Sequence, residues 1–186
     1  MTTSGLLQAI LMYGVVPLWL AAGVADYGCH RASRIEHSSG AKESLLHLMQ
    51  FAEVGGPLLA ALFLEINATV LIFAVLSFVV HQATAVWDVR YANQTRDVSP
   101  TEQHVHGIME MLPVMAIVII AVIHWPAVLS LFGQGTAGFG LELKRPPLPA
   151  WYLASVLAAA AGAALLYIEE LVGTLCGRRL RLIGAA

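Results

Sequence analysis

Charged residues and cysteines are scarce in this sequence. Only 12% of its 186 residues are charged, whereas 58% are hydrophobic, and so little polar surface excludes a soluble globular protein of this size. Two cysteines, Cys29 and Cys176, are too few for a disulfide framework or an iron–sulfur cluster. The chain has no glycine-rich nucleotide loop, and its few basic residues do not form a nucleic-acid-binding region.

Long hydrophobic runs are what the sequence has instead. About 20 apolar residues make one transmembrane helix, and five stretches qualify: 5–28, 44–64, 66–88, 106–132 and 150–173. The first stretch has no preceding basic region and no following small-residue cleavage site, so we interpret it as a retained span rather than a signal peptide. We therefore expect an all-α integral membrane helical bundle of about five helices that forms a single domain over residues 1–186.

The basic residues predict the orientation of the bundle. Eight of them fall on one side, in the loop 31–42, the loop 90–102 and the C-terminal tail, and Lys144 and Arg145 fall on the other. The positive-inside rule then places the N-terminus outside and the C-terminus in the cytoplasm. We expect an inner or plasma membrane location, and we assign Arg31, Arg34, Arg90 and Arg96 to topology and headgroup binding.

Histidines and carboxylates, which are ligands for transition metals, collect at the predicted cytoplasmic ends of the spans. Polar groups in membrane spans are functional candidates by default. Residues four apart share a helical face, which pairs Asp26 with His30, Glu43 with His47, and His106 with Glu110. We predict a metal site at the cytoplasmic face formed by Asp26, His30, Glu43, His47, His81, His104, His106 and Glu110.

The number of donors in this group predicts two metal ions rather than one. Mixed carboxylate and imidazole ligation favours iron, although zinc and manganese also accept it, and such ligation is typical of di-iron helical bundles. The alternative without metal is a hydrogen-bonded polar network.

Several other polar residues are left open as additional members of the site: Asp88, His37, Glu53 and Glu169. The adjacent pair Glu169 and Glu170 is expected mainly at the membrane interface. Glu65 and His124 are expected toward the opposite face, where they could pair.

The tracts Asp26-x-x-x-His30, Glu43-x-x-x-His47 and His104-x-His106-x-x-x-Glu110 resemble in principle the sites of integral-membrane di-iron hydroxylases and desaturases. Those enzymes act on lipids at the cytoplasmic membrane face. Their usual H-x-x-x-H and H-x-x-H-H tracts are missing here, so no residue is carried over from them. The resemblance implies a di-iron oxidoreductase that acts on a lipid or hydrophobic substrate and takes electrons from a separate donor protein.

Two other function classes stay open. A zinc-dependent membrane hydrolase would use metal-bound water as nucleophile, although the H-E-x-x-H tract of zinc proteases is missing. A non-enzymatic protein could transport metal or carry electrons on haem, but transporters place their sites near the bilayer midplane. The sequence does not indicate the substrate or the oligomeric state.

Overall fold

A computed structural model describes residues 2–35 and 38–184, with side chains as far as residue 176. The described chain is helical and contains no strand, and five of its helices are long and apolar enough to cross a membrane. The prediction of an all-α membrane bundle of about five helices is therefore confirmed. His37 lies outside the described residues. The helices are α1 Thr3–Ser33, α2 Ala41–Phe63, α3 Ala68–Thr95, α4 Pro100–Ile123, the short α5 Trp125–Leu131, and α6 Ala150–Gly184.

The predicted fourth span, 106–132, was wrong in both bounds. Helix α4 begins at Pro100, where the Ser99 side chain accepts a hydrogen bond from the backbone N–H of Glu102. It ends at Ile123, and His124 leaves the helical conformation before α5 begins. Pro126 explains this break, because a proline has no N–H to donate and its ring disfavours a continuous helix in the preceding turn.

Helix α1 contains one wider turn ahead of a proline. Residues Leu11–Val15 form a π-helical segment, and the N–H of Val16 bonds to the carbonyl of Leu11, five residues earlier. Pro17 follows at once. Since proline clashes with the carbonyl four residues before it, a local π turn lets the helix continue past Pro17 without a break.

Apolar contacts hold the middle of the bundle together. Helix α1 packs against α4 and α6, and α2 packs against α3 and α6. Two buried clusters lie at these interfaces: Val15, Trp19 and Leu112 in one, and Val16, Leu62, Tyr152 and Val156 in the other. Large apolar side chains such as Leu76, Val79, Val118 and Leu165 are exposed on the outside of the bundle, as expected for helices that face lipid.

The loop 132–149 closes one end of the bundle against the turn between α2 and α3. The N–H of Lys144 bonds to the carbonyl of Phe63, and the N–H of Glu65 bonds to the carbonyl of Glu142. Asn67 caps α3 by accepting from the N–H of Val70, and its amide donates to the carbonyl of Gly140. We call this end, with Glu65, His124 and Lys144, the far end.

The other end of the bundle is where the ionisable residues meet. Helices α1 and α3 end there and α2 and α4 begin there, and α6 brings Glu170 to the same depth. We call it the polar end and define it by five buried carboxylates: Asp26, Glu43, Asp88, Glu102 and Glu170.

Candidate metal centre

Three helices each bring a carboxylate and a histidine, four residues apart, to the polar end. This spacing places the two side chains of a pair on one helical face. In α1 the Nε2 of His30 lies 3.4 Å from Asp26 Oδ1, and in α2 the Nε2 of His47 lies 3.8 Å from Glu43 Oε1. The pairs are Asp26 and His30, Glu43 and His47, and Glu102 and His106.

The rings of His30 and His47 stack on each other, and one carboxylate holds both. Their centroids are 4.0 Å apart and their planes differ by 11°. Glu170 Oε2 lies 3.0 Å from Nδ1 of His30, and Glu170 Oε1 lies 3.3 Å from Nδ1 of His47. A carboxylate bonded to Nδ1 favours the ring tautomer that carries its proton there. Nε2 of each ring is then left with a free lone pair.

The Nε2 atoms of His30 and His47 are buried and make no hydrogen bond within the described part of the chain. They nevertheless lie close to oxygens of other helices. His47 Nε2 is 3.1 Å from Asp88 Oδ2, and His30 Nε2 is 3.8 Å from Glu102 Oε1. Buried polar atoms are normally satisfied, and these two ring nitrogens, which lie close to carboxylates, could bind a cation.

Within the described residues, two sets of donor atoms that share His30 are each compact enough to hold a metal ion. One set is Asp26, His30 and His106, and the other is His30, Glu43 and His47; within each set the donor atoms lie within 4.8 Å of one another. His106 Nε2 is 2.8 Å from Asp26 Oδ1, an oxygen without a hydrogen bond in the described structure. Carboxylate and imidazole donors suit zinc, manganese and iron alike.

Tyr167 fixes the outer oxygen of Asp26. Its hydroxyl lies 3.1 Å from the carbonyl of Gly23 and 3.4 Å from Asp26 Oδ2. The hydroxyl thus contacts Oδ2 of Asp26, while Oδ1 of the same carboxylate lies close to His30 and His106. Such outer partners orient ligands in metal sites.

Arg96 joins two of the carboxylates. Its guanidinium bonds to Glu43, with Nη2 2.5 Å from Oε1, and to both oxygens of Glu102. Burial disfavours the charged guanidinium, but the bonds to Glu102 and Glu43 outweigh it and raise the pKa of Arg96 above its ordinary value. The expectation that Arg96 binds headgroups is therefore wrong, because its side chain is only 5% exposed. Its contribution to topology stays a prediction.

A second polar group adjoins the cluster on α2 and α3. Gln50 donates to Asp88 at 3.0 Å, and Thr84 donates to Glu53 at 2.8 Å. His81 Nδ1 lies 3.7 Å from Glu53 Oε2, and neither ring nitrogen of His81 is bonded within the described residues. A small cavity of about 30 Å³ separates His81 from His47 and His106, which is room for a water molecule or an ion.

Some of the sequence-predicted residues lie outside the compact donor sets. His104 is exposed, and Glu110 is partly exposed at the edge of the small cavity. Metal ligation stays a prediction for these two, and equally for Asp26, His30, Glu43, His47, His81 and His106. Glu169 is exposed and pairs with Tyr27 at 2.6 Å and with Arg31 at 3.6 Å.

The sequence interpretation missed two residues of the cluster. Glu102 lies four residues before His106, which is the spacing found in the other two pairs, and that repetition was the available signal. Glu170 was expected at the interface together with Glu169, but it is 4% exposed and contacts both stacked histidines. The interface expectation is wrong for Glu170.

Comparisons with protein-family models, with curated proteins and with solved structures give no match to this chain.

Proposed function

We propose that this protein is a metal-dependent integral membrane enzyme that holds two metal ions at the polar end and works as a di-iron oxidoreductase on a lipid-like substrate. The observation that carries the proposal is the arrangement of Glu170 with His30 and His47. Metal-binding histidines almost always donate their second ring N–H to a carboxylate or a carbonyl. Here one carboxylate serves two rings, and both Nε2 atoms are left without a hydrogen bond.

The charge of the polar end supports two divalent ions. Asp26, Glu43, Asp88, Glu102 and Glu170 carry five negative charges when ionised, and each is at most 4% exposed. Arg96 neutralises one of them. Two divalent cations would neutralise the remaining four, and buried charges persist only when they are paired or bind metal.

Protonated histidines would balance the same carboxylates less well. The rings of His30 and His47 face each other with centroids 4.0 Å apart. Two positive charges at that distance repel each other in a buried site. A metal-free network therefore carries an electrostatic cost that two shared metal ions remove.

Iron is favoured by the donor set and by the location. Carboxylates from several helices combined with imidazoles are typical of di-iron bundles. The lipid chains that surround a membrane protein are also the substrates nearest to such a site. Two iron ions would supply oxygen activation, with oxygen as oxidant and two electrons from a separate donor protein. Asp26 and His106 would hold one ion and Glu43 and His47 the other, and His30, which both donor sets contain, would bind one of the two through Nε2. His81 and Glu110 border the small cavity.

The protein's own residues position and shield this centre. Glu170 fixes the tautomers of two rings, and Tyr167 supports Asp26. Arg96 donates hydrogen bonds to both Glu43 and Glu102 and keeps these two carboxylates close together. Trp19 and Phe51 stack on each other with centroids 6.1 Å apart, and both line the small cavity, so bulk water is kept from its apolar side.

Metal content tests the proposal directly. Purified protein in detergent is measured by inductively coupled plasma mass spectrometry and by absorption and Mössbauer spectroscopy. We expect about two iron ions per chain, in line with the charge argument. The variant His47→Ala should lose most of the metal, whereas Gln103→Ala should retain it, because Gln103 is exposed and outside both donor sets.

Other outcomes overturn defined parts of the proposal. Zinc in place of iron would exclude the oxidoreductase and favour the membrane hydrolase. A Soret band would show haem. Metal-free protein after expression in iron-supplemented medium, or equal metal content in His47→Ala and wild type, would refute the centre itself.

A further inference from the structure

The bundle encloses a second, much larger cavity between the polar end and the far end. Its volume is about 700 Å³, within the range of small-molecule binding sites. Helices α1, α2, α3 and α4 all contribute to its wall, through side chains such as Val15, Leu58, Ala74 and Ile117. The wall is mostly apolar, so the cavity does not suit a hydrated ion.

The inner end of this cavity adjoins the candidate metal centre. Trp19 lines both the large cavity and the small one beside His47 and His106. Glu53 lines the large cavity and lies 3.7 Å from His81, which lines the small one. One end of a molecule that fills the large cavity would therefore lie next to the candidate metal centre.

The outer end of the cavity is polar. Glu65, His124 and Lys144 line it there, and Lys144 is partly buried. Burial lowers the pKa of Lys144, while the Glu65 carboxylate opposes that effect. Glu65 already accepts a hydrogen bond from the N–H of Arg145 at 2.6 Å. An anion bound beside the ammonium of Lys144 would therefore be stabilised by a further charge-assisted hydrogen bond.

The two ends are separated by a distance that suits a hydrocarbon chain. Glu53 and Glu65 are twelve residues apart along α2 and the residues just after it, which corresponds to about 18 Å at the rise of an α-helix. The cavity is thus long, apolar along its walls and charged at its outer end. A single alkyl chain with one charged headgroup has the same distribution of polarity.

We propose that the large cavity binds a long-chain carboxylate, with its hydrocarbon chain between the four helices and its carboxylate at Lys144. A singly charged headgroup matches the single ammonium group better than a phosphate does, because Glu65 would repel further negative charge. This inference deepens the proposed function, since it names the substrate class of the same centre. Binding itself depends on the cavity alone.

Photolabelling with a palmitic acid analogue that carries a diazirine tests the proposal on purified protein in detergent. Wild type should be labelled at cavity residues such as Ile117 rather than at its lipid-facing neighbour Val118, which is 55% exposed. The variant Ala74→Trp fills the cavity and should reduce labelling at least about tenfold. Ala159→Trp places the same ring on the exposed side of α6 and should leave labelling unchanged.

The headgroup is tested with a second pair of variants. Lys144→Gln should weaken binding of the carboxylate about tenfold, as expected for loss of a charge-assisted hydrogen bond. Arg145→Gln, at the exposed neighbouring position, should have no effect. The alcohol analogue of the probe should bind wild type and Lys144→Gln equally.

Metal content, measured on the same samples, separates this inference from the proposed function. Ala74→Trp should retain its metal, and His47→Ala should lose metal but still be labelled. Labelling that is equal in Ala74→Trp and Ala159→Trp, or confined to lipid-facing residues, would refute the inference and leave the metal centre standing. Metal-free wild type with normal labelling would refute the proposed function alone.

Discussion

At the scale of single residues, Glu170 is the side chain on which the two stacked imidazoles depend. It contacts Nδ1 of His30 and Nδ1 of His47 with separate oxygens. Without this carboxylate, either ring could adopt the other tautomer, and its Nε2 would then carry a proton instead of a lone pair. In the proposed centre, Glu170 would therefore control both the orientation of the two rings and their capacity to bind metal.

The change Glu170→Gln should lower metal affinity about 10–100-fold, the usual effect of removing an outer carboxylate from a histidine ligand. The reason is that an amide can accept from one ring at most and cannot satisfy both N–H groups. Competition with a fluorescent chelator measures this affinity. The matched control is Glu169→Gln, because Glu169 is adjacent, exposed and bonded to Tyr27 and Arg31 instead. Equal affinities in the two variants would contradict the role of Glu170.

At the scale of helices, the guanidinium of Arg96 joins three helix ends at the polar end. Arg96 follows the last residue of α3 and bonds to Glu43 at the start of α2 and to Glu102 at the start of α4. The carboxylates at the starts of α2 and α4, which would otherwise repel each other, are in this way joined to the end of α3. Removing one partner of a buried ion pair leaves an uncompensated charge, which costs more than the pair itself contributes.

We expect Arg96→Gln to lower the free energy of unfolding by about 3 kcal/mol. Unfolding of the metal-free protein in mixed micelles, followed by circular dichroism, measures the change. Arg90→Gln, on the exposed side of the same helix, should be neutral. Adding Glu43→Gln to Arg96→Gln should recover part of the loss, because one uncompensated carboxylate is then removed; a further loss would show that Arg96 acts through another contact.

The helices differ in how far their sequences predict their share of the site. The tracts Asp26-x-x-x-His30 and Glu43-x-x-x-His47 were predictable, because a four-residue spacing fixes a common face whatever the packing. For α6, Glu169 and Glu170 point about 100° apart on a helix that is apolar on every side, so only its packing determines which one is buried. Arg96 could not be distinguished from a topogenic arginine, since the positive-inside rule counts charges and not their contacts.

At the scale of the whole molecule, the two cavities and the centre lie in sequence through the bundle. Glu65 and Lys144 line the large cavity at the far end, Trp19 lines both cavities, and Glu53 in the large cavity lies 3.7 Å from His81 in the small one. In the proposed function, a hydrophobic substrate would reach the centre through the interior of the bundle, and the outer side of the polar end would be left for a partner protein. The proposed electron donor would then dock at the polar end, beside Arg31, Glu169 and His104, which are exposed there.

The orientation of the bundle decides on which side of the membrane that donor works. We predict that the polar end is cytoplasmic, because eight of the ten basic residues lie on its side. Cys176 is exposed on α6 six residues beyond Glu170. In a Cys29→Ser background, a membrane-impermeant maleimide should therefore label Cys176 only after the cells are permeabilised. As the matched control, Leu141→Cys in a Cys29→Ser, Cys176→Ser background places a thiol on the far-end loop, where Leu141 is 68% exposed. That thiol should be labelled in intact cells; the reverse pattern would put the centre outside, where a cytoplasmic reductase cannot reach it.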